Sequence, residues 1–110
     1  MAYVPKKGDI VIVDFDPQTG HEQKGRRPAL VISNDDYHTK TKFLIACPIT
    51  NTRSGFPTHV LLDDKTHTTG EIMCEQVRSL DISARNTVYK EKAPDNIVNE
   101  VIDIVYSFFP

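Results

Sequence analysis

A small SH3-like β-barrel carrying short helices and one C-terminal amphipathic helix is the fold that this sequence predicts, in a mainly β class. Three observations point there. Five or six short apolar runs, rich in Val, Ile and Leu, alternate with turns rich in Gly, Pro and Asp. The apolar period then changes to a helical one near the C-terminus. The chain has 110 residues, enough for one domain (1–110) with a single core.

Taken in order, Asp9 to Phe15 ("DIVIVDF") is the first strand, opened by Gly8 and closed by "DPQTG". Pro28 to Ser33 ("PALVIS") is the second, its proline suited to a strand start because it cannot donate to a ladder. "NDDYHTKT" reads as a polar turn or one helical turn, capped by Asn34 or Asp35. Phe43 to Thr50 ("FLIACPIT") is continuously apolar, so it should be buried on both faces. Thr58 to Leu62 and Glu71 to Val77 follow as strands four and five. "SLDISARN" predicts a short helix capped by Ser79, before a last strand near "TVYKEK". In the tail, Ile97, Val101, Ile104, Val105 and Phe108 fall on one helical face, with Pro94 and Asp95 suited to its first turn.

Composition narrows the class. With 39% hydrophobic and 25% charged residues the chain reads as an ordinary soluble domain. No apolar run reaches the roughly 18 residues of a membrane helix, and the start has no signal-length apolar stretch, so a cytoplasmic location is expected. Cys47 and Cys74 sit in apolar runs without a CxxC partner, which favours buried reduced thiols. The formal net charge is −2, but the acidity is concentrated after residue 90. A local basic surface elsewhere is therefore compatible with it.

The chemistry-bearing residues gather in the loops. His21, His38, His59 and His67 lack ligand spacing, so no metal is expected. No serine occupies a GxSxG turn, and no glycine-rich phosphate loop precedes a helix, so no cofactor is expected. "HEQKGRR" (His21 to Arg27) is more informative, because it combines a guanidinium fork, a carboxylate and an imidazole. Reaction at a phosphodiester needs a cation on the non-bridging oxygens and groups that move protons to and from hydroxyls. "ITNT" adds hydroxyl and amide donors, and "EQVR" a second carboxylate with an amide able to read a base edge.

"GDIVIVDFDPQTGHEQKGRRPALVIS", with the later "CPIT", "PTHVLL" and "EQVRSLDISAR", resembles the MazF/PemK family of toxin endoribonucleases. The resemblance runs from about Lys7 through the C-terminal helix. It implies an SH3-like barrel acting as a symmetric homodimer in a type II toxin–antitoxin system. It also implies metal-independent, sequence-selective cleavage of single-stranded mRNA. The 2′-hydroxyl attacks the adjacent phosphate, leaving a 2′,3′-cyclic phosphate or 3′-phosphate and a 5′-hydroxyl. The implied protein partner is an antitoxin with an acidic, disordered C-terminal tail.

Carried onto this chain, the family's arginine before proline is Arg27 and its threonine after the third strand is Thr50. His21 and Glu22 occupy loop positions used for catalysis or RNA contact in relatives. Glu75 stands where several relatives have aspartate, and Met73 where one branch has a catalytic arginine. A guanidinium is a poor general base. Arg27 therefore stabilises the phosphorane, Thr50 donates beside it, and proton abstraction falls to Glu22, Glu75 or His21. Gln76, Asn51, Arg53, Arg78, Lys24 and Arg26 are the candidate RNA contacts. The competing expectation is a non-enzymatic poison that binds a protein target such as gyrase on the same fold. Arg27 together with Thr50 argues for the nuclease.

Overall fold

The computed structural model describes residues 3–15 and 25–110. Among the described residues are seven strands and two helices: β1 (Asp9–Asp14), β2 (Arg26–Val31), α1 (Asp35–Thr41), β3 (Phe43–Thr50), β4 (His59–Leu61), β5 (Glu71–Met73), β6 (Arg78–Asp81), β7 (Val88–Lys92) and α2 (Asp95–Tyr106). The main path of the sheet is β4-β5-β3-β2-β1-β7, with β6 on β3. All described pairs are antiparallel. The mainly β class and the C-terminal helix are as the sequence predicts, but the barrel is not closed: the path has β4 at one end and β7 at the other.

β3 organises the sheet because its length lets it serve three neighbours. Ala29↔Pro48 and Leu30↔Cys47 join it to β2. Its first half pairs with β6, from Phe43↔Asp81 to Ala46↔Arg78, and its end pairs with β5 through Ile49↔Ile72 and Thr50↔Glu71. Successive side chains on a strand point to opposite faces. Leu44 and Ala46 accordingly join one core with Val11, Val13, Phe15, Ala29, Val31 and Leu80. Cys47 and Ile49 join another with Ile10, Leu30, Ile72 and Cys74. Burial on both faces is therefore what the apolar run encodes. Both cysteines are buried and free, and continuing the β3–β5 register by two residues sets Cys47 level with Cys74.

α2 covers the second core with Ile97, Val98, Val101 and Val105. Full burial of each such side chain stabilises by about 1.5–3 kcal/mol, so this face holds the helix in place. Phe108, expected on that face, lies beyond the last helical residue and is 42% exposed. α1 starts where Asn34 Oδ1 accepts from Tyr37 N at 2.8 Å, and ends at Lys42 in the left-handed region (φ 64°). His38, on α1, is a packed histidine. Its Nδ1–H donates to the Pro5 carbonyl at 2.8 Å, and Nε2 lies 2.6 Å from Ser33 Oγ.

Two sequence expectations are corrected. Ser79 does not cap a helix: it lies within β6, opposite Ile45 of β3. Residues 82–86 form turns instead, since pairing with β3 supplies "RSLD" with ladder partners that a helix cap could not match. The fifth strand is also shorter than expected. It ends at Met73, and Cys74–Gln76 form a 3-10 turn that separates β5 from β6. That turn lets the chain leave one side of β3 and return on it as another strand.

Candidate active site

The pairing register sets up the site. Arg27 lies opposite Val13 on β2, and Thr50 closes β3 opposite Glu71 of β5. The β2–β3 pairing ends at Ala29↔Pro48, so Arg27 and Thr50 each lie two residues beyond its last pair. Thr50 and Glu71 form a directly opposed row across β3 and β5, and directly opposed residues share a face of a sheet. Arg27 and Thr50 are both partly exposed. Thr50 Oγ1 accepts from Thr52 N at 3.2 Å, which leaves its hydroxyl hydrogen available to donate.

Gly70 makes this row possible. Its φ is +113°, and a Cβ there would stand 2.1 Å from the Thr50 carbonyl oxygen. Only glycine tolerates both the dihedral and the approach. Asp63 Oδ1 accepts from Gly70 N at 2.9 Å and fixes the loop.

Beside the row lies a charged network. His59 is directed at two carboxylates: Nδ1 at Glu71 Oε1 (2.7 Å) and Nε2 at Glu75 Oε2 (2.9 Å). A carboxylate only accepts, so both ring nitrogens donate when the imidazole carries its second proton. Glu75 Oε1 also accepts from Thr58 Oγ1 at 2.5 Å. Glu71 is buried, and its oxygens accept further from Ser54 N, Ser54 Oγ and Gly55 N at 3.2–3.4 Å. Burial by itself would lower the His59 pKa, but the hydrogen bonds to Glu71 and Glu75 outweigh it and raise the value above its ordinary 6.5. The His59 hydrogen bond is the main cause holding Glu71 below the usual carboxylate range. Glu75 is pushed up by burial, yet its bonds to Thr58 and His59 prevail and lower it.

The other expected contacts divide. Glu75 and Gln76 share the 3-10 turn, both exposed. Asn51 Oδ1 accepts from Thr69 Oγ1 at 3.2 Å. Arg53 is held by Asp63, with Nε at 2.7 Å and Nη2 at 2.6 Å from Oδ2. Arg78 lies over the Phe15 ring, its Cζ 5.2 Å from the centroid. Arg26 is engaged by Asp14 Oδ1 at 3.0 Å and donates to the Asn86 carbonyl, also at 3.0 Å. His21, Glu22 and Lys24 lie outside the described residues. Two residues of the site are missing from the sequence-based set, Glu71 and His59. The signal was a charged residue opening an otherwise apolar run, but only the β4–β5 pairing joins it to His59.

Comparison with known proteins identifies the family. A family profile described as "PemK-like, MazF-like toxin of type II toxin-antitoxin system" matches residues 6–109. The chain is 35% identical over 103 residues to the endoribonuclease PemK of Escherichia coli, covering 88% of this chain and 76% of that protein. It is 40% identical over 88 residues to the endoribonuclease toxin MazF of Escherichia coli K12, covering 80% and 78%. The crystal structure of MazF (Form-I) from Deinococcus radiodurans superposes with a TM-score of 0.91 at 38% identity, over 97% of both chains. A MazE–MazF complex (Form-II) from the same organism gives 0.87 at 38% identity, over 97% of this chain and 96% of that one. With the match spanning nearly every described element, the chain belongs to the PemK-like, MazF-like toxins of type II toxin–antitoxin systems.

Proposed function

We propose that this toxin is an endoribonuclease that cuts single-stranded mRNA through Arg27, Thr50 and Glu75. The observation that supports the reading is the strand order, in which β2 bearing Arg27 and β5 leading into the Glu75 turn both pair with β3, whose last residue is Thr50. The RNA supplies its own nucleophile. As the 2′-oxygen attacks phosphorus, negative charge grows on the non-bridging oxygens, where Arg27 and the Thr50 hydroxyl stabilise it. The proton leaves the 2′-hydroxyl to a carboxylate or imidazole, with Glu75, Glu22 and His21 as candidates. Glu75 is ionised at neutral pH, and the bonds from Thr58 and His59, which lower its pKa, hold the carboxylate in place. The 5′-oxygen takes up a proton, from the group that accepted the first one or from water, and departs as a hydroxyl, leaving a 2′,3′-cyclic phosphate.

Unpaired RNA suits the site, since splayed bases expose their edges to Gln76 and Asn51. Arg53, Arg78, Lys24 and Arg26 are the candidate phosphate contacts, with Arg53 and Arg26 exchanging Asp63 and Asp14 for the RNA. An acidic antitoxin tail would compete for the same charges, and a cytoplasmic location follows from an mRNA substrate. A homodimer is supported by the apolar groove of about 600 Å³ between α1, β6 and α2, edged by Tyr37, Ile102, Tyr106 and Phe109.

Incubation with single-stranded RNA in EDTA, followed by mapping of the ends, tests the reading. Cyclic-phosphate or 3′-phosphate products with 5′-hydroxyl ends are expected. Arg27→Ala should lower the rate by about 10²–10³-fold. No product across diverse RNAs would overturn the nuclease and favour a protein-binding poison.

A further inference from the structure

Glu75 does not hold its position alone. It sits on the three-residue 3-10 turn Cys74–Gln76, whose N-cap, Met73, makes no side-chain cap bond. Its carboxylate is tied by Thr58 and His59, and His59 is anchored in turn on buried Glu71. The imidazole is well enclosed, its side chain 9% exposed, with the Phe56 ring 5.2 Å away. We infer that His59 is a positioning residue for RNA cleavage: donating from both ring nitrogens, it locks the Glu75–Gln76 turn onto Glu71, next to Thr50 in the sheet. This inference rests on the nuclease reading above.

The chemistry is switchable. A neutral imidazole has one N–H donor, so on losing a proton it presents a lone pair to one of its carboxylates. The turn then loses either its tie to β4 or the anchor on β5. The charged groups facing the ring are few. Glu71 comes from β5 and Glu75 from the 3-10 turn. The loop before β4 brings Phe56 and Thr58, which are uncharged, and its Arg53 is paired with Asp63. α2 packs on the same turn, and the charge of its Glu100 acts on Cys74. Both carboxylates favour the charged ring, so the lock should hold at neutral pH and open on the alkaline side.

The test combines ring titration with kinetics. Proton and nitrogen NMR of histidine-labelled toxin, with His59 assigned through His59→Gln, should show both ring nitrogens protonated near neutral pH. Glu71→Gln should move that titration to lower pH. In RNA cleavage, His59→Gln should lower kcat about tenfold with little change in KM, because a misplaced group costs rate more than binding. It should also remove the alkaline fall in kcat expected of wild type as pH rises through the raised His59 value. A merely structural histidine would lower the melting temperature without moving the pH profile. An uncharged His59 in the unmodified protein at neutral pH overturns the inference. So does His59→Gln with wild-type kcat and pH profile in a toxin that cleaves RNA. A wild-type protein that cleaves no RNA instead overturns the nuclease reading, and the inference with it.

Discussion

The β1–β2–β3 body and the β4–β5 end of the same sheet are held together by different physics. In the body, strands of six to eight residues bury Ile10, Leu30, Leu44 and Ile49 against two cores, and the pairing is continuous. At the other end, β4 and β5 have three residues each, and with the 3-10 turn that follows them they carry His59, Glu71 and Glu75. Burial of apolar area is non-directional and indifferent to pH. A carboxylate–imidazolium–carboxylate chain is directional and depends on protons. The body therefore supplies a rigid frame for Arg27, while the charged end sets the place and ionisation of Glu75.

The largest break in that contrast should come from the body. Leu30→Ala should destabilise by about 2–5 kcal/mol, with an effect that stays constant across mildly acidic to neutral pH. Equilibrium denaturation at several pH values measures it, and a strongly pH-dependent loss would contradict the contrast.

Gly70→Ala probes the junction of the two regions. A Cβ 2.1 Å from the Thr50 carbonyl cannot be accommodated without backbone movement. The substitution should cost about 1–3 kcal/mol and reduce cleavage along with stability, measured by melting and by RNA turnover.

A smaller effect sharpens the charged end. The raised His59 pKa contributes stability that is fully present below 6.5 and is lost as pH rises through the folded value. The lowered Glu71 and Glu75 values contribute stability present above 4.5 and lost as pH falls through their folded values. The stability gap between wild type and His59→Gln should thus be widest between about pH 4.5 and 6.5 and narrow on either side. A gap that does not vary with pH would mean the network contributes by packing alone.

Arg26→Ala should do least. The Asp14–Arg26 pair is solvent-exposed, with 41% of the arginine side chain accessible. Exposed pairs are worth little and are screened by salt. Melting temperatures with and without added salt should differ little between variant and wild type.

The parts of the fold legible in the sequence are those that local pattern governs. The continuous apolar run from Phe43 to Thr50 marks a strand buried on both faces, because such a run leaves no polar face for solvent. The period of Ile97, Val101 and Val105 marks α2 because it gathers the apolar side chains on one helical face, and its end at Tyr106 shows the pattern running past the helix to Phe108. Where the sequence misled, a neighbour in space had decided. "RSLD" became β6 because β3 offered it a ladder, which local propensity cannot register.

The same division holds for the site. The sequence by itself determined the family and hence Arg27, Thr50, Glu75 and Gln76 as the residues to examine, since those side chains carry the chemistry. Only the tertiary structure decided that Thr50 faces Glu71, that Gly70 must be glycine, and that Arg26 and Arg53 answer first to Asp14 and Asp63. His59 and Glu71 are twelve residues apart in the chain and fit neither a helical nor a ligand spacing. What joins them is the antiparallel register of two three-residue strands, a long-range pairing that no local run of residues specifies.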